Sequence, residues 1–132
     1  MKNVRFVFYP TVALGVLLVF GCVGSKKGDP SVILRSQRVQ ATMTDIVGAL
    51  EKYREDKGFF PKGMASLRDA HYLSIMPDLE REWVFNYYTD GDRVMMVEAV
   101  STALMPDKAG RKIVYRVPEQ VWEGYGITEF PK

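Results

Sequence analysis

Only a few residues in this sequence could do chemistry. Cys22 is the single cysteine and His71 the single histidine. A lone cysteine closes no internal disulfide and builds no cysteine-rich metal site, so its chemistry would be that of a modified or a free thiol. A catalytic triad or a histidine metal centre would have to be built around His71 alone, and no serine or cysteine nucleophile is placed near it by motif; it reads as a structural histidine. Asp90 and Asp92 flank Gly91 in the run Thr89-Asp90-Gly91-Asp92. Calcium loops use such residues, but an EF-hand would need a longer ligand series and a distal glutamate. A hairpin turn accounts for the same four residues, which leaves Asp90 and Asp92 as weak metal candidates. Glu80, Glu82 and Asp107 read as loop and strand-edge charges, because paired-carboxylate catalysis needs a cleft and nothing in the sequence indicates one. Met95, Met96 and Met105 read as core fillers. There is no phosphate-binding glycine loop, and the sequence implies no cofactor.

The setting of Cys22 is more informative. Residues 1–21, MKNVRFVFYPTVALGVLLVFG, open with Lys2 and Arg5 and continue into the apolar stretch Phe6 to Phe20. As a helix that stretch would span roughly 22 Å, short of the ~30 Å hydrocarbon layer. Pro10 and Gly15 weaken it further as a permanent span. This is the layout of a secretory signal peptide. The end of it, Val19-Phe20-Gly21-Cys22, resembles the bacterial lipobox, in which an aliphatic and a small residue precede the cysteine; Phe20 is larger than the usual residue there. The resemblance implies that the leader is cut before Cys22, that Cys22 is diacylated, and that the new N-terminus can be acylated too. Two or three acyl chains anchor stably where one does not. The alternative is a free cysteine at the end of an uncleaved inner-membrane anchor. Residues 22–29, the lipidated cysteine and a small, polar and charged run, read as a flexible tether. Val23, where a sorting aspartate would stand, favours the outer membrane by analogy.

Composition bounds the rest. With 132 residues, 47% hydrophobic and 26% charged, the chain is a single globular domain behind its leader. The net charge of +2 comes from Lys2 and Arg5; without them 16 basic residues face 16 acidic ones. No basic run interleaved with aromatics is present, so nucleic acid is not an expected partner.

The elements that position these residues begin at Asp29-Pro30, a capping residue followed by proline at the first helical position. From there to about Lys57 apolar residues fall at 39, 43, 46, 50 and 53, a single stripe. Ser36 interrupts that stripe, which favours a helix lying on a sheet over a coiled-coil seam. Gly58 reads as a left-handed stop, and Phe59-Phe60-Pro61 just beyond it as a hydrophobic clasp folding back on the helix. Ser66 should cap a short helix through Tyr72, with Leu67, Ala70 and Leu73 inward. Residues 83–88 and 93–100 read as a hairpin around Asp90-Gly91. The expected register pairs Tyr88 with Arg93, Tyr87 with Val94 and Phe85 with Met96. It places Trp83, Phe85, Tyr87, Val94 and Met96 on one face. Residues 111–117 read as a third strand with Ile113, Tyr115 and Val117 inward, ended by Pro118. Residues 124–127 fit either a loop or a short edge strand.

The run from Ala49 to Pro61 resembles the helix end of type IV pilins and type II secretion pseudopilins: an apolar pair, a tyrosine, an acidic residue, glycine, an aromatic and proline. Ser66 to Leu73 and Pro77 resemble the short second helix of that family and the proline before its first strand, and Trp83 to Tyr88 that strand. The likeness covers roughly residues 31–100. The prepilin cleavage glycine, the phenylalanine after it and the glutamate five residues into the mature chain have no counterpart, and the apolar half of the pilin helix is missing. The resemblance therefore implies a pilin-like domain, residues 30–132, that does not polymerise by the pilin route. The expected fold is α+β, a long N-terminal helix on a three- to four-stranded antiparallel sheet. The expected role is non-catalytic: contact with protein partners in a secretion or pilus-type complex at the periplasmic face or outer membrane, through exposed edge strands or the 101–110 loop. The rival expectations are a small ligand- or calcium-binding envelope lipoprotein, and an enzyme, a hydrolase, built on His71.

Overall fold

The computed structural model describes residues 28–127. The leader, Cys22 and most of the tether lie outside the described residues. Seven elements follow in order: α1 (Pro30–Lys57), α2 (Met64–Asp69), α3 (Pro77–Glu82), β1 (Trp83–Asp90), β2 (Arg93–Ser101), β3 (Lys112–Arg116) and β4 (Val121–Gly124). The four strands form one antiparallel sheet in the order β1-β2-β3-β4. The architecture is α+β, with α1 laid across one face of the sheet, chiefly over β2.

Helix α1 starts and stops where its sequence says. The Asp29 carboxylate accepts from the Ser31 backbone N–H at 2.9 Å and from the Ser31 hydroxyl at 2.8 Å, and Pro30 fills the first turn, where no amide donor is needed. Gly58 ends the helix at φ 83°, its N–H donating to the Arg54 carbonyl at 2.7 Å. Between the caps, Val39, Met43, Ile46 and Leu50 are fully buried and Tyr53 is half-buried. They meet Leu67, Leu79, Trp83, Val97, Ala99 and Ile113 in a single core.

Ser36 is fully buried in that stripe, and the reason lies at the far end of the chain. Residues 125–127 leave the sheet after β4 and cross α1 at Ser36. A Cβ at Gly126 would stand 2.6 Å from the Ser36 Cβ and 2.9 Å from the Val32 carbonyl oxygen. A small side chain at 36 and none at 126 let two backbones approach, and the Ser36 hydroxyl is satisfied by Gln40 Nε2 at 3.0 Å.

Four details depart from the sequence reading. The hairpin register is different: Tyr88 pairs with Met96, Tyr87 with Val97 and Phe85 with Ala99. The two-residue loop is Gly91-Asp92, with a positive φ at Gly91 and none at Asp92, the pattern of a II′ turn. The pairing then jumps between Tyr88 and Thr89, leaving Met95 as an extra residue on β2. Such a bulge reverses the inward phase of a strand. Val94 is buried before it, and Val97 and Ala99 after it, while Met96 leaves the core face.

The other three concern the helices and the C-terminal piece. Ser66 lies inside α2 and caps nothing; Gly63 is the N-cap, and Ala70 is exposed. Pro77 opens α3 rather than preceding a strand, so Glu80 and Glu82 are helical; the proline with Asp78 and Glu80 in the first turn suits a helix N-terminus. Strand β4 lies upstream of residues 125–127, which are neither strand nor free loop but the segment held against α1.

Candidate functional site

The clasp after Gly58 is half as expected. Pro61 is buried, and Phe60 packs on the core with the Arg54 guanidinium 5.7 Å above its ring. Phe59 meets Tyr53 only edge-on, at 6.1 Å, and remains 60% exposed. What holds the turn is the sheet: the Tyr87 hydroxyl donates to the Pro61 carbonyl. A second tie comes from Tyr72, whose hydroxyl donates to the Asp56 carboxylate at 2.8 Å while its ring meets Tyr53 at 5.2 Å. The hydroxyl of Tyr72 and the ammonium of Lys52, 2.9 Å away, hold the Asp56 carboxyl below its usual range, Lys52 being the larger cause.

His71 lies just past α2, exposed, at φ 60°. Its N–H donates to the Arg68 carbonyl at 3.0 Å, and the next N–H, of Tyr72, to the Leu67 carbonyl at 2.9 Å. These two bonds form a Schellman motif with histidine where glycine usually stands. The residue thus has a structural reason to be conformationally special.

Asp90 and Asp92 are both exposed. The Asp92 carboxylate lies 3.7 Å from an Arg54 Nη1, a cation where a metal would need another oxygen ligand. No cluster of three or more histidine, cysteine, aspartate or glutamate residues with metal-binding geometry occurs among the described residues. Beside this pair an open cleft of about 500 Å³ runs between the end of α1 and the β2 and β3 ends, with Glu51, Glu55 and Arg93 on its walls.

The feature with most to offer a partner is β1. It is an outer strand of the sheet. The Thr102 N–H donates to the Glu82 carbonyl at 2.8 Å and the Ser101 N–H to the Arg111 carbonyl at 2.8 Å. Antiparallel alternation then gives residues 84, 86 and 88 to β2 and turns the backbone groups of Phe85 and Tyr87 outward. Among the described residues none forms a backbone bond with them. Two shallow grooves, about 410 and 250 Å³, line this edge, one against residues 61–64 and the other against Arg68, Ile75 and Glu80. Arg68 and Glu80 join at 2.6 Å across the second. On the face of the sheet away from α1, Val84, Tyr88 and Val121 are 51%, 49% and 41% exposed, with the Glu98–Lys112 bridge at 3.0 Å between them.

The sequence points to exposed edge strands as contact surfaces but not to β1 in particular, since which strand is outermost depends on strand order. Among the described residues no helix is long and apolar enough to cross a membrane. No protein family, no curated protein and no solved structure matches this chain.

Proposed function

We propose that this chain is a lipid-anchored, pilin-like structural or accessory module that works by protein contact in a bacterial secretion or pilus-type envelope assembly. Cys22 carries the lipid, residues 22–29 are the tether, and the helix–sheet body is what the partner meets. The role is non-catalytic. The observation that carries the reading is the free β1 edge, held rigid from behind. The Tyr87 hydroxyl bonds the Pro61 carbonyl, Phe60 and Pro61 sit beneath, and α1 braces the sheet from Val39 to Leu50. An edge with unpaired backbone groups is a template for another strand. A brace that fixes its geometry lowers the entropy lost on binding. The long helix stopped by Gly58, the turn through Pro61 and the antiparallel sheet are the features that support kinship with pilins and pseudopilins; absence of the prepilin cleavage site supports a lipid in place of a polymerising helix.

Intact-mass spectrometry of the chain purified from bacterial membranes tests the anchor. The expected mass lacks residues 1–21 and carries two or three acyl chains, and a Cys22→Ser variant should keep its leader and gain no lipid. A mature mass with an unmodified Cys22, or an uncleaved chain, would overturn the lipoprotein reading.

A further inference from the structure

Strand β1 lacks the devices that keep an outer strand single. Such strands are usually short, charged or interrupted by proline. The run Trp83 to Thr89 holds no charged residue, no proline and no glycine. It belongs to a strand of eight residues, whereas β4, at the other border of the sheet, has four and carries Glu123. Side chains alternate along β1. Trp83 and Phe85 are buried and Tyr87 is half-buried on the face toward α1, while Val84, Asn86 and Tyr88 are exposed on the other.

The two grooves beside this edge differ in chemistry. They share Met64 and Phe85, so one follows the other along the strand. The groove of about 250 Å³, at the Trp83 end, is lined by Met64, Ile75, Trp83 and Phe85, and its charges, Arg68 and Glu80, neutralise each other at 2.6 Å. The groove of about 410 Å³, at the Tyr87 end, has one charged residue in its lining, Lys62. Lys62 is exposed and makes no ion pair among the described residues.

We propose that the β1 edge receives an extended segment of a partner protein that runs antiparallel to it and reads acidic-x-apolar-x-apolar from its N-terminal side. The inference rests on the reading of β1 as the contact edge and names the segment that fits it. The outward backbone groups of Phe85 and Tyr87 bond the added strand, and antiparallel ladders are the stabler kind. A residue directly opposite one on β1 shares its face of the sheet. The acidic residue, opposite Tyr87, meets Lys62. The apolar residues, opposite Phe85 and Trp83, fill the smaller groove. The residues between them lie on the other face, beside Asn86 and Val84. A second copy of this chain does not meet these terms. Two β1 edges paired about a two-fold axis would crowd both copies' residues 61–64 and Ile75 along one seam on the same face, and the run Trp83 to Thr89 has no carboxylate to offer Lys62.

Amide hydrogen exchange, read by NMR on the full chain in lipid nanodiscs, tests this. The probe is an N-acetylated, C-amidated heptapeptide, threonine throughout except for aspartate at its second position and leucine at its fourth and sixth. At saturation it should slow exchange of the Phe85 and Tyr87 amides by about tenfold. The same peptide in reverse order, or with serine for both leucines, should bind about tenfold more weakly. Lys62→Glu should invert the charge preference, so that a peptide with lysine in place of aspartate binds about threefold better than the original. Slowed amides with no preference for order, leucine or charge would overturn the proposed pattern and leave β1 standing as the contact edge. No slowing at either amide with millimolar peptide would also overturn the proposal, and crosslinking from Asn86 in native membranes then decides separately whether β1 is the contact edge.

Discussion

Gly126 and Ser36 meet so closely that neither position tolerates growth: the Cβ of any residue at 126 would lie 2.6 Å from the Ser36 Cβ. Gly126 also holds φ at 67°, where other L-residues are strained. Gly126→Ala should therefore destabilise the domain by about 2–3 kcal/mol, read as a lowered midpoint in thermal or urea unfolding. A loss below about 0.5 kcal/mol would mean that residues 125–127 do not cross α1 as described.

His71 gives the opposite sign. It occupies a left-handed position at the end of α2. His71→Gly should stabilise by up to about 1 kcal/mol, and His71→Ala should change stability little. A catalytic histidine would show the reverse pattern, an activity lost in both variants with no gain in melting temperature.

The two phenylalanines after Gly58 should separate cleanly. Phe60 packs on the core beside Arg54, while Phe59 is mostly in solvent. Phe60→Ala should cost about 2–3 kcal/mol and Phe59→Ala no more than about 1. Chemical denaturation of both variants decides it, and equal costs would refute the description of the clasp.

The tie between Tyr72 and Asp56 has a pH signature at both ends. The Asp56 carboxyl is held below its ordinary value of 3.8, first by Lys52 and then by Tyr72, so its contribution is present above that pH and is lost as pH falls through the lower, folded value. The Tyr72 hydroxyl is held above 10.0, chiefly by its bond to Asp56, so its contribution is present below that pH and is lost as pH rises through the higher value. Tyr72→Phe should flatten the alkaline limb of the stability–pH curve, and Asp56→Asn both limbs. An unchanged curve in both variants would show that the bond contributes nothing.

Much of the fold was legible because its signals are local. Asp29-Pro30 and Gly58 bound α1 through caps that act within one turn, and the buried positions 39, 43, 46 and 50 follow from helical period alone. The hairpin was legible as a hairpin, but its register was not: one extra residue, Met95, reverses the phase of β2, and nothing in the run Val94-Met95-Met96-Val97 marks which methionine is surplus. Helix α3 was not legible because Pro77 resembles the proline that stands before the first strand of the pilin family, although proline with acidic neighbours also opens a helix. For the candidate site, Cys22 is a sequence signal. The β1 edge is a product of strand order and of segments far apart in the chain, and periodicity does not carry that information.

The central claim, a lipid-tethered body that binds protein through the β1 edge, is tested most directly by a photo-crosslinking residue at Asn86, on β1, in the full chain within native membranes. The account predicts a covalent adduct with another component of a secretion or pilus-type assembly, absent when the crosslinker sits at Ala65 on α2 and absent when Cys22→Ser removes the lipid. Adduct formation at Ala65 but not at Asn86, or no adduct from Asn86 in membranes where the acylated chain is abundant, would contradict it.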